Sequence, residues 1–316
     1  MKGSTVEMNR YNPEFMSGIR KETITPKTIN KAIENREELE ALVVGCNSDN
    51  TLKLNIASNI VGELPFNELE YHPDGAETKP VSAMSKVGKR VKFIPKSIEN
   101  IDGQYVVRCN RKELQKECYE NYIATLRPGD VIPARVVNTE NYGLFCDIGC
   151  GIIALLPTNN ISVTHVVNPK ESLKGLKRII VVVKEIQDNY RIQLTHRELL
   201  GTWEEEASKF HEGDTVFGTV LSVEKYGVFV RLSQNLSGLA EPTDIELETG
   251  DSVVVTINSI IKDNMKVKLI IANKAEEEPE EMRFDYSQRD GHISKWVYST
   301  EKSPKRIETI FDAEEK

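Results

Sequence analysis

The chain reads as a mostly β protein: three small closed five-stranded barrels in tandem, joined by short helices. Three observations predict this. A 29-residue segment recurs at an offset of 84. A fainter copy lies 92 residues upstream. Each copy is made of short Val- and Ile-rich runs broken by Gly, Asn and Asp, which is the pattern of strands and turns.

The strong repeat aligns Gly129 to Pro157 with Gly213 to Glu241 without a gap. Gly129-Asp130 falls on Gly213-Asp214, Tyr142-Gly143 on Tyr226-Gly227, Phe145 on Phe229 and Leu155 on Leu239. The upstream copy, Asn50 to Pro65, keeps the apolar skeleton: Leu52, Ile56, Ile60 and Leu64 fall on Leu144, Ile148, Ile152 and Leu156. It puts Asn50 in place of the tyrosine and Lys53 in place of the phenylalanine. The later halves match as well, with Val181 to Leu199 parallel to Lys92 to Leu114, and Val253 to Ile271 closing the third unit. Five strands in about 70 residues suit a closed barrel, because closure removes the unpaired edges that invite aggregation.

Helical stretches join the units. Arg111 to Leu126 and His196 to Phe210 both begin basic-Glu-Leu and end shortly before a Gly-Asp pair. Leu114, Cys118, Tyr122 and Leu126 recur every four residues, a stripe suited to packing on a neighbouring barrel. The expected divisions are an N-terminal arm over 1–33, a divergent barrel over 34–123, barrels over 124–197 and 198–274, and an acidic linker and extension over 275–316. The arm is expected to be mobile to about Asn30, with a helix beginning between Ile29 and Leu39. The run Glu276 to Glu281 reads as a solvated linker. Phe284, Tyr286, Trp296 and Tyr298 beyond it are too many aromatics for disorder, and are expected to pack on the third barrel or on a partner.

Composition narrows the function classes. Hydrophobic residues are 39% and charged residues 28% of 316, with no apolar run long enough to cross a membrane and no signal-peptide core. Five cysteines without a Cys-x-x-Cys pair argue for free thiols, a reducing cytoplasm and no zinc site. Cys146 and Cys150 flank an expected turn and lack further ligands nearby. No Walker-type loop appears and no nucleophile–base set is spaced for catalysis, so neither a cofactor nor a metal nor an enzyme is expected. The net charge is −8, but it is uneven. Residues 124–197 hold 9 Lys and Arg against 6 Asp and Glu, whereas 198–274 hold 7 against 13 and 275–316 hold 7 against 12. The middle unit is the best suited to phosphate.

The repeated Tyr-Gly-x-Phe carries the chemistry. Residues three apart on a regular strand face opposite sides. A bulge or bend at the glycine would bring both rings to one outer face, as a platform for unpaired bases. The alternative is that both rings are core. A basic residue on the last strand completes the platform: Arg191 follows Asp188 by three, and Lys266 follows Asp263 by three. Val106 stands there in the first unit, which thus lacks rings and cation together.

These residues resemble the S1-type RNA-binding domain, an OB-fold barrel that is repeated in ribosomal protein S1. The second unit shows Gly129-Asp130-Val131, Tyr142-Gly143-x-Phe145, Leu155-Leu156-Pro157, Asp188 and Arg191. The third shows Gly213-Asp214-x-Val216, Tyr226-Gly227-x-Phe229, Gly238-Leu239-x-Glu241, Asp263 and Lys266. The usual histidine is Pro157 in one and Glu241 in the other, and the glutamate disfavours phosphate. The joint around Trp203 is similar to those between S1 repeats, and HISKWVYS (His292 to Ser299) to an extension in short S1-like proteins of clostridia and related Gram-positive bacteria. The resemblance implies a cytoplasmic RNA-binding protein of translation, partnered by single-stranded RNA or mRNA and the small ribosomal subunit, with the first barrel docking on protein. Bases are expected on Tyr142, Phe145, Tyr226 and Phe229, and phosphates near Arg135, Lys184, Arg191 and Lys266. A protein–protein adaptor and an RNA-processing accessory factor stay open as alternatives.

Overall fold

The computed structural model describes residues 10–15, 24–164, 166, 169–172, 175–187, 190–275 and 284–312. The expected acidic linker at 276–281, and Asp188, lie outside the described residues.

Helix α1 (Pro26–Glu34) precedes the first barrel, whose strands are β1 (Leu39–Cys46), β2 (Leu52–Ala57), β3 (Ile60–Leu64), β4 (Arg90–Ile101) and β5 (Gln104–Asn110). A short helix, α2 (Pro80–Met84), lies between β3 and β4, and α3 (Arg111–Asn121) leads to the second barrel. That barrel has β6 (Val131–Glu140), β7 (Gly143–Gly149), β8 (Ile152–Pro157), the single turn α4 (Pro169–Ser172), β9 (Arg178–Ile186) and β10 (Ile192–Thr195). Helix α5 (Trp203–Ala207) leads to β11 (Thr215–Glu224), β12 (Gly227–Arg231), β13 (Ser237–Ala240), β14 (Ser252–Ile261) and β15 (Lys266–Lys274), and a hairpin of β16 (Lys295–Val297) and β17 (Glu308–Ile310) follows.

One path closes all three barrels. Each first strand pairs with the second, the second with the third, the third in parallel with the fifth, the fifth with the fourth, and the fourth with the first. The chain is therefore three tandem OB-type barrels. The first strand must serve two neighbours at once, so it bends. Its register shifts between Val43 and Gly45, between Val136 and Asn138, and between Val220 and Ser222, the extra residue of a bulge each time. Alternate residues fill the interiors: Leu144, Cys146 and Ile148 from β7, and Val228 and Val230 from β12.

The barrels are bolted together rather than strung. Leu114 and Cys118 of α3 share one buried cluster with Ile94 of the first barrel and Ile132 and Leu144 of the second, with Tyr122 and Leu126 packed on it. The stripe reaches the neighbouring barrel as expected, but the helix expected over Arg111 to Leu126 ends at Asn121: Tyr122 leaves helical geometry, and Leu126 follows a single turn at Ile123–Thr125. At the other joint, the buried Asn235 accepts from the Val163 N–H at 2.8 Å and donates to the carbonyls of Arg197 and Gly201, each at 3.2 Å. The helical stretch expected over His196 to Phe210 is split into a single turn at Arg197–Leu199 and α5, because Gly201 takes a left-handed φ of +83° between them. The extension packs partly as expected: its later aromatics reach the third barrel, but its earlier ones pack on the second. Trp296 and Tyr298 join Trp203 in the third core, and Phe284 and Tyr286 meet His196 edge-on. His196 donates from Nδ1 to the Ile161 carbonyl at 2.9 Å, and burial pulls its pKa down to about 4.

The arm departs from expectation. Helix α1 starts at Pro26, earlier than predicted, behind a Thr25–Thr28 capping box, and buries Ile29 and Ala32 on the first barrel. Residues 10–15 are not loose: they fill the joint between the first two barrels. The Glu14 carboxylate accepts from Arg111 Nε at 2.9 Å and from the Lys92 N–H at 3.0 Å, and the Glu14 N–H donates to Asp147 Oδ2 at 2.7 Å. Lys92 Nζ reaches the Asn12 carbonyl at 3.0 Å. The buried Arg111 needs an anion, and Glu14 supplies it from 97 residues away, a pairing with no local signature.

This node sets a pH dependence. Burial, and then the charge of Glu14, push Asp147 up to about 7 from 3.8. A carboxyl raised on folding contributes stability below its unfolded pKa that is lost as pH rises through the folded value. The unfolding free energy of the wild type, from denaturant titrations, is expected to fall relative to that of Asp147→Asn between pH 4 and 8, by on the order of 2–4 kcal/mol. Parallel pH profiles of the two proteins would refute this.

Candidate nucleic-acid interface

Each ring pair starts at a hairpin tip. Tyr142 occupies the turn before β7 and Tyr226 the turn before β12. These residues are 60% and 64% exposed. Phe145 and Phe229, two residues into the strands after the glycine, are half-buried on the outer faces. The rings meet edge to face, with centroids 6.0 Å apart at 90° in the second barrel and 6.2 Å apart at 86° in the third. Both pairs therefore face water and neither is core.

The route to this placement differs from the expected bend. No register shift falls at Gly143 or Gly227; the bulge lies on the opposite strand. The glycines allow a close approach instead. A Cβ on Gly143 would sit 2.5 Å from the Leu156 carbonyl oxygen, and one on Gly227 would sit 2.2 Å from that of Ala240. The tyrosine escapes strand alternation by belonging to the turn, where the Thr158 N–H holds the Tyr142 carbonyl at 3.0 Å.

Register carries the outer face across each barrel. Phe145 lies opposite Leu155, and Leu155 opposite Gln193; Phe229 lies opposite Leu239, and Leu239 opposite Lys268. Arg191 and Lys266 sit two residues before Gln193 and Lys268, so they share that parity, and both are exposed. Lys268 escaped the sequence reading, although its spacing from Lys266 placed it on the same face. In the first barrel the corresponding row is Lys53, Glu63 and Arg108, with Arg108 Nη1 4.0 Å from Glu63. Lys53 takes the place of the ring, and the Glu63–Arg108 ion pair takes the places of the leucine and the last-strand residue.

The other expected contacts fare unequally. Arg135 does not stand free for phosphate. Its guanidinium lies 5.4 Å from the Phe15 ring centroid and reaches the Glu14 carbonyl at 3.4 Å, since the arm covers that part of β6. Lys184 is half-buried and donates to Asn160 Oδ1 at 3.2 Å. Asp263 is exposed, 3.9 Å from Lys302 Nζ. Glu241 follows Ala240 at the end of β13, one residue past the pairing of Ala240 with Val228, and is exposed beside the Tyr226 turn. Among the described residues no group of three or more His, Cys, Asp or Glu side chains is placed to hold a metal ion, and no helix is long and apolar enough to cross a membrane.

Fold and site together define a protein of three tandem OB-type barrels, two of which carry a ring pair on the outer face. The family model for the S1 RNA-binding domain matches residues 125–197, so the second barrel is such a domain. The small ribosomal subunit protein bS1 of Staphylococcus epidermidis is 34% identical over 159 residues, covering 46% of this chain and 40% of that protein. That of Staphylococcus aureus is 31% identical over 164 residues, covering 48% and 42%. The chain spans about two fifths of the length of the curated relatives it matches. A multidomain protein with nucleic acid binding domains from Streptococcus pneumoniae is 14% identical, over 78% of this chain and 76% of that one, with a TM-score of 0.24.

The close approach at the glycines gives a direct test of how the rings are held. Gly143→Ala and Gly227→Ala are each expected to destabilise their barrel by about 1–3 kcal/mol, read as a drop in urea midpoint. Wild-type midpoints in both variants would show that the approach is not needed.

Proposed function

We propose that the protein binds single-stranded RNA on the outer faces of the second and third barrels, as part of the translation machinery. The carrying observation is the outward ring pair, present twice with the same geometry, on faces that end at Arg191, just before β10, and at Lys266 and Lys268 on β15. Bases stack on Tyr142 and Phe145, and on Tyr226 and Phe229, while Arg191, Lys266 and Lys268 neutralise phosphate. Asp263, in the turn Lys262–Asn264 before β15, shapes that edge of the face in the third barrel. Stacking tolerates any base, so affinity exceeds sequence preference. The second barrel, locally basic, is the stronger site; the third carries Glu241 beside its rings. The protein acts as a cytoplasmic binding module, without catalysis and without a cofactor.

Ring removal is the decisive experiment. Phe145→Ala is expected to weaken binding of unstructured RNA by about 1–3 kcal/mol, and Phe229→Ala by less. Affinity is expected to fall linearly in log–log form as salt rises. Unchanged affinity in both variants, with the fold intact, would refute the platform.

The strand face of the first barrel supports docking on the small ribosomal subunit rather than base stacking. Its face lacks rings, and it exposes Val44, Val81, Met84 and Val87. The Gly88 N–H donates to the Val43 carbonyl at 2.9 Å, which brings the segment after α2 beside β1. Met84→Glu with Val44→Glu is expected to reduce co-sedimentation with the subunit severalfold and leave oligonucleotide affinity unchanged. Equal co-sedimentation would exclude this face as the docking surface.

A further inference from the structure

Three tyrosines from three segments meet at the joint of the first two barrels. Tyr71 lies in the segment after β3, Tyr119 on α3 and Tyr190 in the turn between β9 and β10. Ring centroids are 5.9 Å apart from Tyr71 to Tyr119 and 5.9 Å from Tyr119 to Tyr190, with planes at 56° and 76°. Burial, then the neighbouring Tyr190 and Tyr71, raise the pKa of Tyr119. None of the three phenolic hydroxyls has a hydrogen-bond partner among the described residues.

Tyr190 is the informative member. It is 47% exposed, and it holds a left-handed φ of 61°, a conformation that costs a non-glycine residue about 1–3 kcal/mol. A ring needed only for packing gains nothing from being both strained and wet. Its position matters too. The first and last hairpin turns of an OB barrel border the face on which single strands lie; Tyr142 is in one and Tyr190 in the other. Arg191 is its neighbour, on the same outer parity as Gln193. A strand leaving Phe145 past Leu155 and Gln193 therefore reaches Arg191, Tyr190, Tyr119 and Tyr71 in turn. Exposed Lys112 and Lys116 precede Tyr119 on α3 at helical spacings of seven and three, on the side of the helix that carries the ring.

We propose that Tyr190, Tyr119 and Tyr71 form a second stacking site for the same RNA, taking the unpaired bases that run off the second barrel towards the first. The proposal rests on the RNA-binding reading above. A base sandwiched between two rings needs roughly twice the ~3.4 Å rise of stacked bases between parallel planes. The tilted rings leave no such slot, so bases lie on the outward ring faces. The first barrel thereby contributes to RNA binding through Tyr71, although its own face has no ring pair.

The test uses the full chain and two oligouridylates, of about 6 and about 16 nucleotides, within the range that OB folds occupy. Phe145→Ala is expected to weaken both. Tyr190→Ala and Tyr71→Ala are expected to weaken only the longer, by about tenfold each, while Tyr190→Phe and Tyr71→Phe keep wild-type affinity. Wild-type affinity for the longer strand in both alanine variants overturns the ladder, whatever Phe145→Ala does. Loss in those variants with none in Phe145→Ala keeps the ladder and overturns the platform. Photocrosslinking of 4-thiouridine RNA to the unmodified protein gives a reading independent of folding. Crosslinks in peptides containing Tyr71 or Tyr190 support the ladder, and crosslinks confined to the peptide of Tyr142 and Phe145 overturn it.

Discussion

The missing side chain at Gly143 and Gly227 is the constraint from which the binding faces follow. Where the second strand begins, its backbone passes so close to the carbonyl of Leu156 or Ala240 that no Cβ fits. The hairpin tip is thereby drawn down onto the third strand, and the tyrosine just before the glycine is thrown outward beside the phenylalanine two residues after it. Everything else on the face is ordinary strand geometry: the leucine opposite the phenylalanine, and the polar or basic residue opposite the leucine. Barrel closure matters equally, because it leaves no unpaired edge for a partner to extend. Recognition has to use side chains standing on the outside of the wall.

Much of this was legible in the sequence because the repeat compares the chain with itself. The offsets of 84 and 92 separate what every barrel needs, namely the apolar skeleton, from what only two of them have, the rings and the cation. The barrel count, the joints and the outward rings follow from that comparison. The bend expected at the glycine was misplaced because period-2 reasoning treats Tyr142 as a strand residue, whereas it belongs to the turn. Arg135 and Lys184 carry the charge a phosphate contact needs. Their partners, Glu14, Phe15 and Asn160, come from other segments, and no local pattern reports such contacts. The tyrosine ladder is hidden for the same reason: its members are 48 and 71 residues apart. Lys268, by contrast, was readable from parity alone.

The three barrels share a fold and differ in surface chemistry. The second is basic and keeps its rings, the third keeps its rings amid acidic residues, and the first replaces ring and leucine with Lys53 and Glu63. A closed barrel permits this divergence, since the interior sets stability and the outer row is free to change. The array grades from a face suited to nucleic acid towards faces suited to other contacts.

The joints turn this gradation into geometry. Arg111 with Glu14 at one joint, and Asn235 with the Trp203–Trp296–Tyr298 cluster at the other, fix the barrels relative to one another. Two binding faces on a flexible tether accept almost any ligand conformation, whereas faces held at a set separation act as a ruler. A strand whose unpaired stretch is too short to span them gains one contact only. Under the proposed reading, rigid joints let stacking that tolerates any base still discriminate, by measuring how much of an RNA is unfolded.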